Sequence, residues 1–123
     1  LISLSVLLGK LIPSIEKWLP VLFHKMLLWL LSVEVEIVGE IDQSKKNNLF
    51  ISNHLSYLDI PILGSKFPMR FVAKSEVESW PIFGFLAKKG RSIFIRRNKT
   101  DSFNQKNKIL YVLSSVEKVF IFP

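Results

Sequence analysis

The sequence predicts an α/β domain with a largely parallel sheet, preceded by an amphipathic helical segment. Residues 1–32 are apolar with sparse charges, whereas short apolar runs alternate with helical patterns from residue 33 onward. Such alternation is typical of a parallel sheet covered by helices. Hydrophobic residues make up 49% of the 123 residues, so one domain of ordinary size can build a core.

The segment 1–32 predicts helices with a narrow polar stripe. Pro13 and Pro20 should break or kink it into two or three pieces, the last being Val21 to Ser32. Its longest uncharged run, Leu1 to Gly9, is shorter than the roughly 20 residues that cross a bilayer. The segment therefore either lies in a membrane interface or packs on the rest of the domain as a helical hairpin. The stripe, about 100° wide, contains side chains expected to be solvated or interfacial: Ser3, Lys10, Ser14, Lys17, His24 and Lys25.

From residue 33 the pattern becomes that of a sheet. Val33, Val35 and Ile37 alternate with glutamates, which predicts a half-exposed strand, and the polar residues 42–48 predict a surface loop joining it to a second strand. The later elements follow from apolar runs and capping signals. They are strands at Leu49–Ile51, Phe71–Ala73, Ser92–Ile95 and Val119–Phe122, and helices at Ile60–Leu63 with Gly64 near its end, from Trp80-Pro81 through Ala87 with Gly90 as C-cap, and from Asp101 to about Lys118.

Polar residues follow three of these strands. Asn53 and His54 come after Ile51, Lys74 after Ala73, and Arg96-Arg97 after Ile95. Ligands of open α/β sheets bind outside the carboxyl ends of the strands. These side chains are therefore expected to meet at one edge of the sheet.

His54 and Asp59, five residues apart, form a candidate catalytic pair. A histidine can act as a general base near neutral pH, and an acidic partner can hold its ring in one tautomer. The pair requires His54 in the turn after the strand and Asp59 in the first helical turn. The alternative is a capping box, in which Ser56 and Asp59 satisfy backbone donors at the start of a helix.

The charge of +7 indicates an anionic partner such as an acidic lipid, a phosphorylated substrate or nucleic acid. Nucleic acid is disfavoured because the aromatic residues fall in apolar runs rather than in a stacking platform. Arg96 and Arg97 either hold a phosphate or form a solvated pair. Neighbouring strand residues face opposite sides, so only one of the two is expected to turn inward. No metal is expected, since the chain has no cysteine and the histidines and carboxylates are scattered.

Several ordered blocks then resemble one family. The run Asn53 to Asp59 resembles the NHxSxxD signature of the 1-acylglycerol-3-phosphate acyltransferases, a family of glycerolipid acyltransferases. The resemblance covers about residues 33–123 in order. The other matching blocks are Phe71–Glu76, Trp80–Gly84, Ile93–Arg97 and Val119–Pro123, the last similar to the opening of a third block, F-P-E-G-T.

The resemblance implies transfer of an acyl group from acyl-CoA or acyl-ACP, as a substrate and not a bound cofactor, to the free hydroxyl of a lysophospholipid. The acceptor that the resemblance implies is 1-acylglycerol 3-phosphate, with lyso-ornithine lipid and glycerol 3-phosphate as alternatives. It also implies action at a membrane surface, the cytoplasmic face of the inner membrane if the source is bacterial. His54 would be the general base and Asp59 its orienting acid. The remaining residues would bind substrate: Arg97, Lys74, Arg96, Asn53 and Ser56.

Three departures from the family pattern bear on these expectations. Arg96 stands where the family often has an acid, Arg91 where it often has glycine, and the sequence ends at Pro123 before the glutamate, glycine and threonine of the third block. Residues 33–123 are thus expected to be the N-terminal part of an acyltransferase domain. By itself it should be inactive, because a sheet ending at Phe122 would leave an unpaired edge. A non-catalytic membrane-binding fragment or pseudoenzyme is the rival interpretation.

Overall fold

The computed structural model describes residues 2–42, 49–96, 102–114 and 118–122, with side chains from residue 11 onward. The chain forms two compact units, residues 1–36 with 57–68 and residues 37–56 with 69–123. The elements in chain order are α1 (Ile2–Leu30), β1 (Leu49–Ile51), α2 (Asp59–Gly64), β2 (Arg70–Lys74), a 3₁₀ turn (Ser75–Ser79), α3 (Phe83–Lys89), β3 (Ile93–Ile95), α4 (Ser102–Ser114) and β4 (Val119–Ile121).

The first unit consists mainly of α1 and α2. The predicted break of the N-terminal segment is wrong, because α1 continues through both Pro13 and Pro20. Each proline removes one backbone hydrogen bond, and that local loss does not end the helix. Within the described part of the chain, no helix has the length and apolar character needed to cross a membrane.

Helix α1 packs against α2. Val21 and Leu28 are buried and His24 is half-buried, and their spacing of three and four residues places them on one face of the helix. The prediction that His24 is solvated or interfacial is therefore wrong. The polar stripe of α1 enters the buried face at this point, because the backbone of α2 approaches the helix there.

The second unit contains a four-stranded sheet in the order β1-β4-β2-β3, with every pairing parallel. This confirms the predicted fold class. Strand β4 is central: Phe120 lies opposite Phe50 of β1 and Phe71 of β2. Helix α4 contacts β3 and β4. The core cluster is Ile93, Val112 and Val119, with Val72, Ile95, Ile109, Leu113 and Ile121 packed against it.

One expectation about strands is wrong. Residues Val33–Ile37 form no strand, although Val33 and Val35 are half-buried between exposed glutamates. Strand β1, which was their predicted partner, pairs with β4. An alternating pattern indicates that one side of a segment is buried. It does not indicate whether a neighbouring strand is available for hydrogen bonding, which a strand requires. Strand β4 has a neighbour on both sides, and β1 and β3 are the outer strands of the described sheet.

Helix α3 begins later than predicted. Trp80 is extended (φ −70°, ψ 137°), as expected for a residue before proline, and the helix starts at Phe83. Its end agrees with prediction, with Lys88 and Lys89 in the last turn and Gly90 as C-cap. The next residue, Arg91, has a positive φ of 59°.

Candidate active site

The carboxyl edge of the sheet gathers polar residues of the second unit. Because the four strands are parallel, their carboxyl ends lie at the same edge. Asn53 and His54 lie in the loop that follows β1, Lys74 is the last residue of β2, and Arg96 directly follows β3. All four side chains are exposed.

Strand order sets the distances along this edge. Neighbouring strands lie about 4.8 Å apart, so the end of β2 is roughly 10 Å from the end of β1 and the end of β3 is roughly 14 Å from it. A lysine side chain at Lys74 can therefore reach toward the loop after β1 more readily than Arg96 can. Arg97 lies outside the described residues.

His54 is held in this loop by an aromatic contact. Its ring stacks on Phe122, with centroids 4.2 Å apart and planes 20° from parallel. Phe122 in turn stacks on Phe71 (6.0 Å, 8°) and contacts Phe120 (5.2 Å). The loop begins with the N–H of Ser52 donating to the carbonyl of Ile121 (3.3 Å), which joins it to the end of β4.

Phe122 is a site residue that the sequence reasoning missed. The sequence pattern places it at the end of the last predicted strand and indicates no role for it. The sequence signal for its role is its position directly after the last apolar run, which forms β4 (Val119–Ile121). The sheet order then places β4 beside β1, the strand that leads to His54.

Asp59 is the first residue of α2. His54 thus lies in the loop and Asp59 in the first helical turn, the two positions that the catalytic interpretation requires. The N-cap of α2 is Leu58, with no side-chain hydrogen bond at the cap. The alternative of a capping box formed by Ser56 and Asp59 stays a prediction.

An exposed imidazole in the loop at the carboxyl edge of a sheet is suited to proton abstraction. The cations at the ends of β2 and β3 suit an anionic substrate group. Among the residues that the structure describes, no group of three or more histidine, aspartate or glutamate side chains could hold a metal ion.

Residues 33–123 match the family Acyltransferase. The chain is 41% identical over 109 residues to a lyso-ornithine lipid O-acyltransferase of Rhizobium meliloti (strain 1021), covering 88% of this chain and 37% of that protein. It is 38% identical over 93 residues to a lyso-ornithine lipid O-acyltransferase of Pseudomonas aeruginosa, covering 76% and 35%.

A 1-acyl-sn-glycerol-3-phosphate acyltransferase of Neisseria gonorrhoeae is 29% identical over 94 residues, which cover 76% of this chain and 37% of that protein. The chain therefore spans well under half the length of these relatives. No solved structure shows significant similarity to the chain.

Proposed function

The chain belongs to the acyltransferase family, and from this we propose that the complete protein transfers an acyl group from an acyl thioester to a free hydroxyl of a lysolipid. The observation that carries the proposal is the position of two residues. His54 lies in the loop at the carboxyl edge of the sheet, and Asp59 opens the helix that follows.

In this reaction His54 takes the proton of the acceptor hydroxyl as its oxygen attacks the thioester carbonyl carbon. A carbon–oxygen bond forms, the carbon–sulfur bond breaks, and the proton passes from the imidazolium to the leaving thiolate. Asp59 orients the ring and stabilises its charged form. A positioned base of this kind contributes about 10² to 10⁴ in rate. The donor is acyl-CoA or acyl-ACP.

Lys74 and Arg96 are proposed to attract the anionic group of a substrate. Lys74 ends β2, Arg96 directly follows the neighbouring strand β3, and both are exposed at the same edge as His54. Asn53 and Ser56 flank His54 in the loop and are proposed to contact the acceptor, as is Arg97.

Lyso-ornithine lipid is the first candidate acceptor. The relatives named for that lipid are 41% and 38% identical to this chain, whereas the Neisseria relative named for 1-acylglycerol 3-phosphate is 29% identical. This order of acceptors reverses the one expected from the sequence motif. The motif does not separate the acceptors, because enzymes for each of them carry it. 1-Acylglycerol 3-phosphate remains the second candidate.

We further propose that α1 lies on a membrane surface containing anionic lipids, from which the lysolipid acceptor arrives. Trp18 and Trp29 are 54% and 81% exposed, and Lys17 and Lys25 are exposed on the same helix. Apolar side chains with interfacial tryptophans and lysines fit a helix in the interface plane. In a bacterium this surface would be the cytoplasmic face of the inner membrane. Further exposed apolar side chains of α1 are Leu11, Ile12, Ile15, Leu19, Leu22, Phe23, Met26 and Leu30.

Acceptor competition tests the proposed function. The complete protein, purified from a host lacking related enzymes, is given acyl-CoA or acyl-ACP with equal amounts of lyso-ornithine lipid and 1-acylglycerol 3-phosphate in mixed micelles. We expect acylation of both lipids to be detectable, with the larger kcat/KM for lyso-ornithine lipid. Preference for the phosphate acceptor would reverse the order of candidates. Failure to acylate either lipid with either donor would contradict the function.

A further inference from the structure

A close contact joins the two helices of the first unit. Gly64, the last residue of α2, is buried, and a Cβ atom added there would overlap Nδ1 and Cε1 of the His24 ring. Only glycine leaves room for this imidazole against the backbone of α2. The contact fixes the end of α2 on one side of α1.

The environment of His24 favours a packing role over a lipid-facing one. The side chain is half-buried, and its Nδ1 is buried without a well-formed hydrogen bond to any residue that the structure describes. Burial lowers the pKa of the ring below 6.5, while the Gly64 backbone acts in the opposite direction and more weakly. The ring is therefore neutral at physiological pH and acts by its shape.

Helix α2 links this contact to the proposed catalytic acid. The helix contains six residues, with Asp59 at its first position and Gly64 at its last. At about 1.5 Å per residue, these ends are roughly 7.5 Å apart along the axis. So short a helix moves as one body, and a shift at Gly64 displaces Asp59 as well.

We propose that His24 is a positioning residue for acyl transfer: its ring, seated on Gly64, fixes α2 and with it the carboxylate of Asp59. The proposal rests on the proposed function, in which Asp59 orients His54. His24 itself touches no reacting atom and acts through Gly64.

Three variants of the complete protein test the steric contact: His24→Ala, Gly64→Ala and the double variant. His24→Ala leaves α2 loosely held, and Gly64→Ala pushes a methyl group into the ring. We expect each single change to lower kcat by about 10-fold to 100-fold, since a displacement near 1 Å can cost that much. The double variant should be more active than Gly64→Ala alone, because the clash is removed. Strictly multiplicative losses would overturn the proposal.

Coupling to Asp59 separates positioning from a loss of folded protein. If His24 acts through the carboxylate of Asp59, His24→Ala and Gly64→Ala should lower kcat in the unsubstituted protein and have little further effect in Asp59→Asn. Partial unfolding would instead lower kcat by the same factor in both backgrounds. Glu16→Ala, at another exposed residue of α1, is the control and should leave kcat unchanged in both backgrounds.

Two negative outcomes are distinct. If Asp59→Asn lowers kcat, and His24→Ala and Gly64→Ala lower it by the same factor with and without Asp59→Asn, the positioning role is overturned while the proposed function stands. If Asp59→Asn leaves kcat unchanged, the role of Asp59 fails, and the positioning role that depends on it fails too.

Discussion

The imidazole of His54 stacks on the ring of Phe122 at a centroid distance of 4.2 Å. Phe122 directly follows β4, and His54 lies in the loop after β1, the neighbouring strand. The proposed base is therefore oriented by a ring from a strand that comes nearly 70 residues later in the chain.

Phe122→Ala should lower kcat more than it raises KM, because it frees the proposed base without removing a substrate contact. Aromatic pairs contribute about 0.5 to 1.5 kcal/mol, so the expected loss is about 2-fold to 10-fold. Steady-state kinetics of the complete protein measure it. Phe103→Ala, at an exposed ring on α4, is the matched control. Equal activities of the two variants would contradict the orienting role.

Gly84→Ala should destabilise the second unit. A Cβ atom at Gly84 would lie 2.8 Å from the carbonyl oxygen of Val77 and closer still to that of Glu78, both backbone atoms that cannot rotate away. Overpacking of this kind costs about 1 to 3 kcal/mol. Denaturant unfolding should show the loss. Gly90→Ala, whose Cβ would meet its nearest atom at 3.2 Å, should cost clearly less, and equal losses would show that α3 is not held by this contact.

Arg91→Gly should stabilise the protein. Arg91 has a left-handed backbone (φ 59°), a conformation that costs residues with a Cβ atom about 1 to 2 kcal/mol. Its carbonyl accepts a 2.6 Å hydrogen bond from Nε of Arg70, which glycine retains. We expect a gain of about 1 kcal/mol in the free energy of unfolding. Arg91→Ala, which keeps the Cβ atom, controls for the lost side chain and should give no gain.

The stability of the protein should fall with acidification partly through His24. Burial lowers the pKa of this ring below 6.5 in the folded chain, so the unfolded chain binds the proton more readily. The contribution of neutral His24 is intact above about pH 6.5 and is lost as the pH falls below it.

Denaturant unfolding between pH 7.5 and 5.5 checks this dependence. The non-titrating variant His24→Gln should show a shallower fall in the free energy of unfolding than the unsubstituted protein. Identical slopes would contradict the effect. The variant retains the described charged side chains of the two packed helices: Glu16, Lys17, Lys25 and Asp59.

Local patterns in the sequence were enough to predict most strands and the position of His54. Leu49–Ile51 is a strand as predicted, and Asp59 opens a helix as the pairing with His54 requires. These features depend on apolar runs and turn signals within a few residues, which a single sequence displays.

Strand pairing and helix packing could not be predicted in the same way, because they depend on residues that are far apart in the sequence. The alternation at Val33–Ile37 could not show that β1 takes β4 as its partner. Nor could a wheel of α1 show that α2 meets the polar stripe at His24, because the signal for that contact is a glycine 40 residues away. The role of Phe122 likewise depends on sheet order, since it is the central position of β4 that brings the ring to His54.

The proposed role of His54 is the central claim, and one measurement tests it most directly. The rate of acyl transfer to lyso-ornithine lipid is compared between the complete protein and its His54→Ala variant, at equal amounts of folded enzyme. Loss of a general base predicts a fall of about 10² to 10⁴ in kcat. An unchanged rate would contradict the claim.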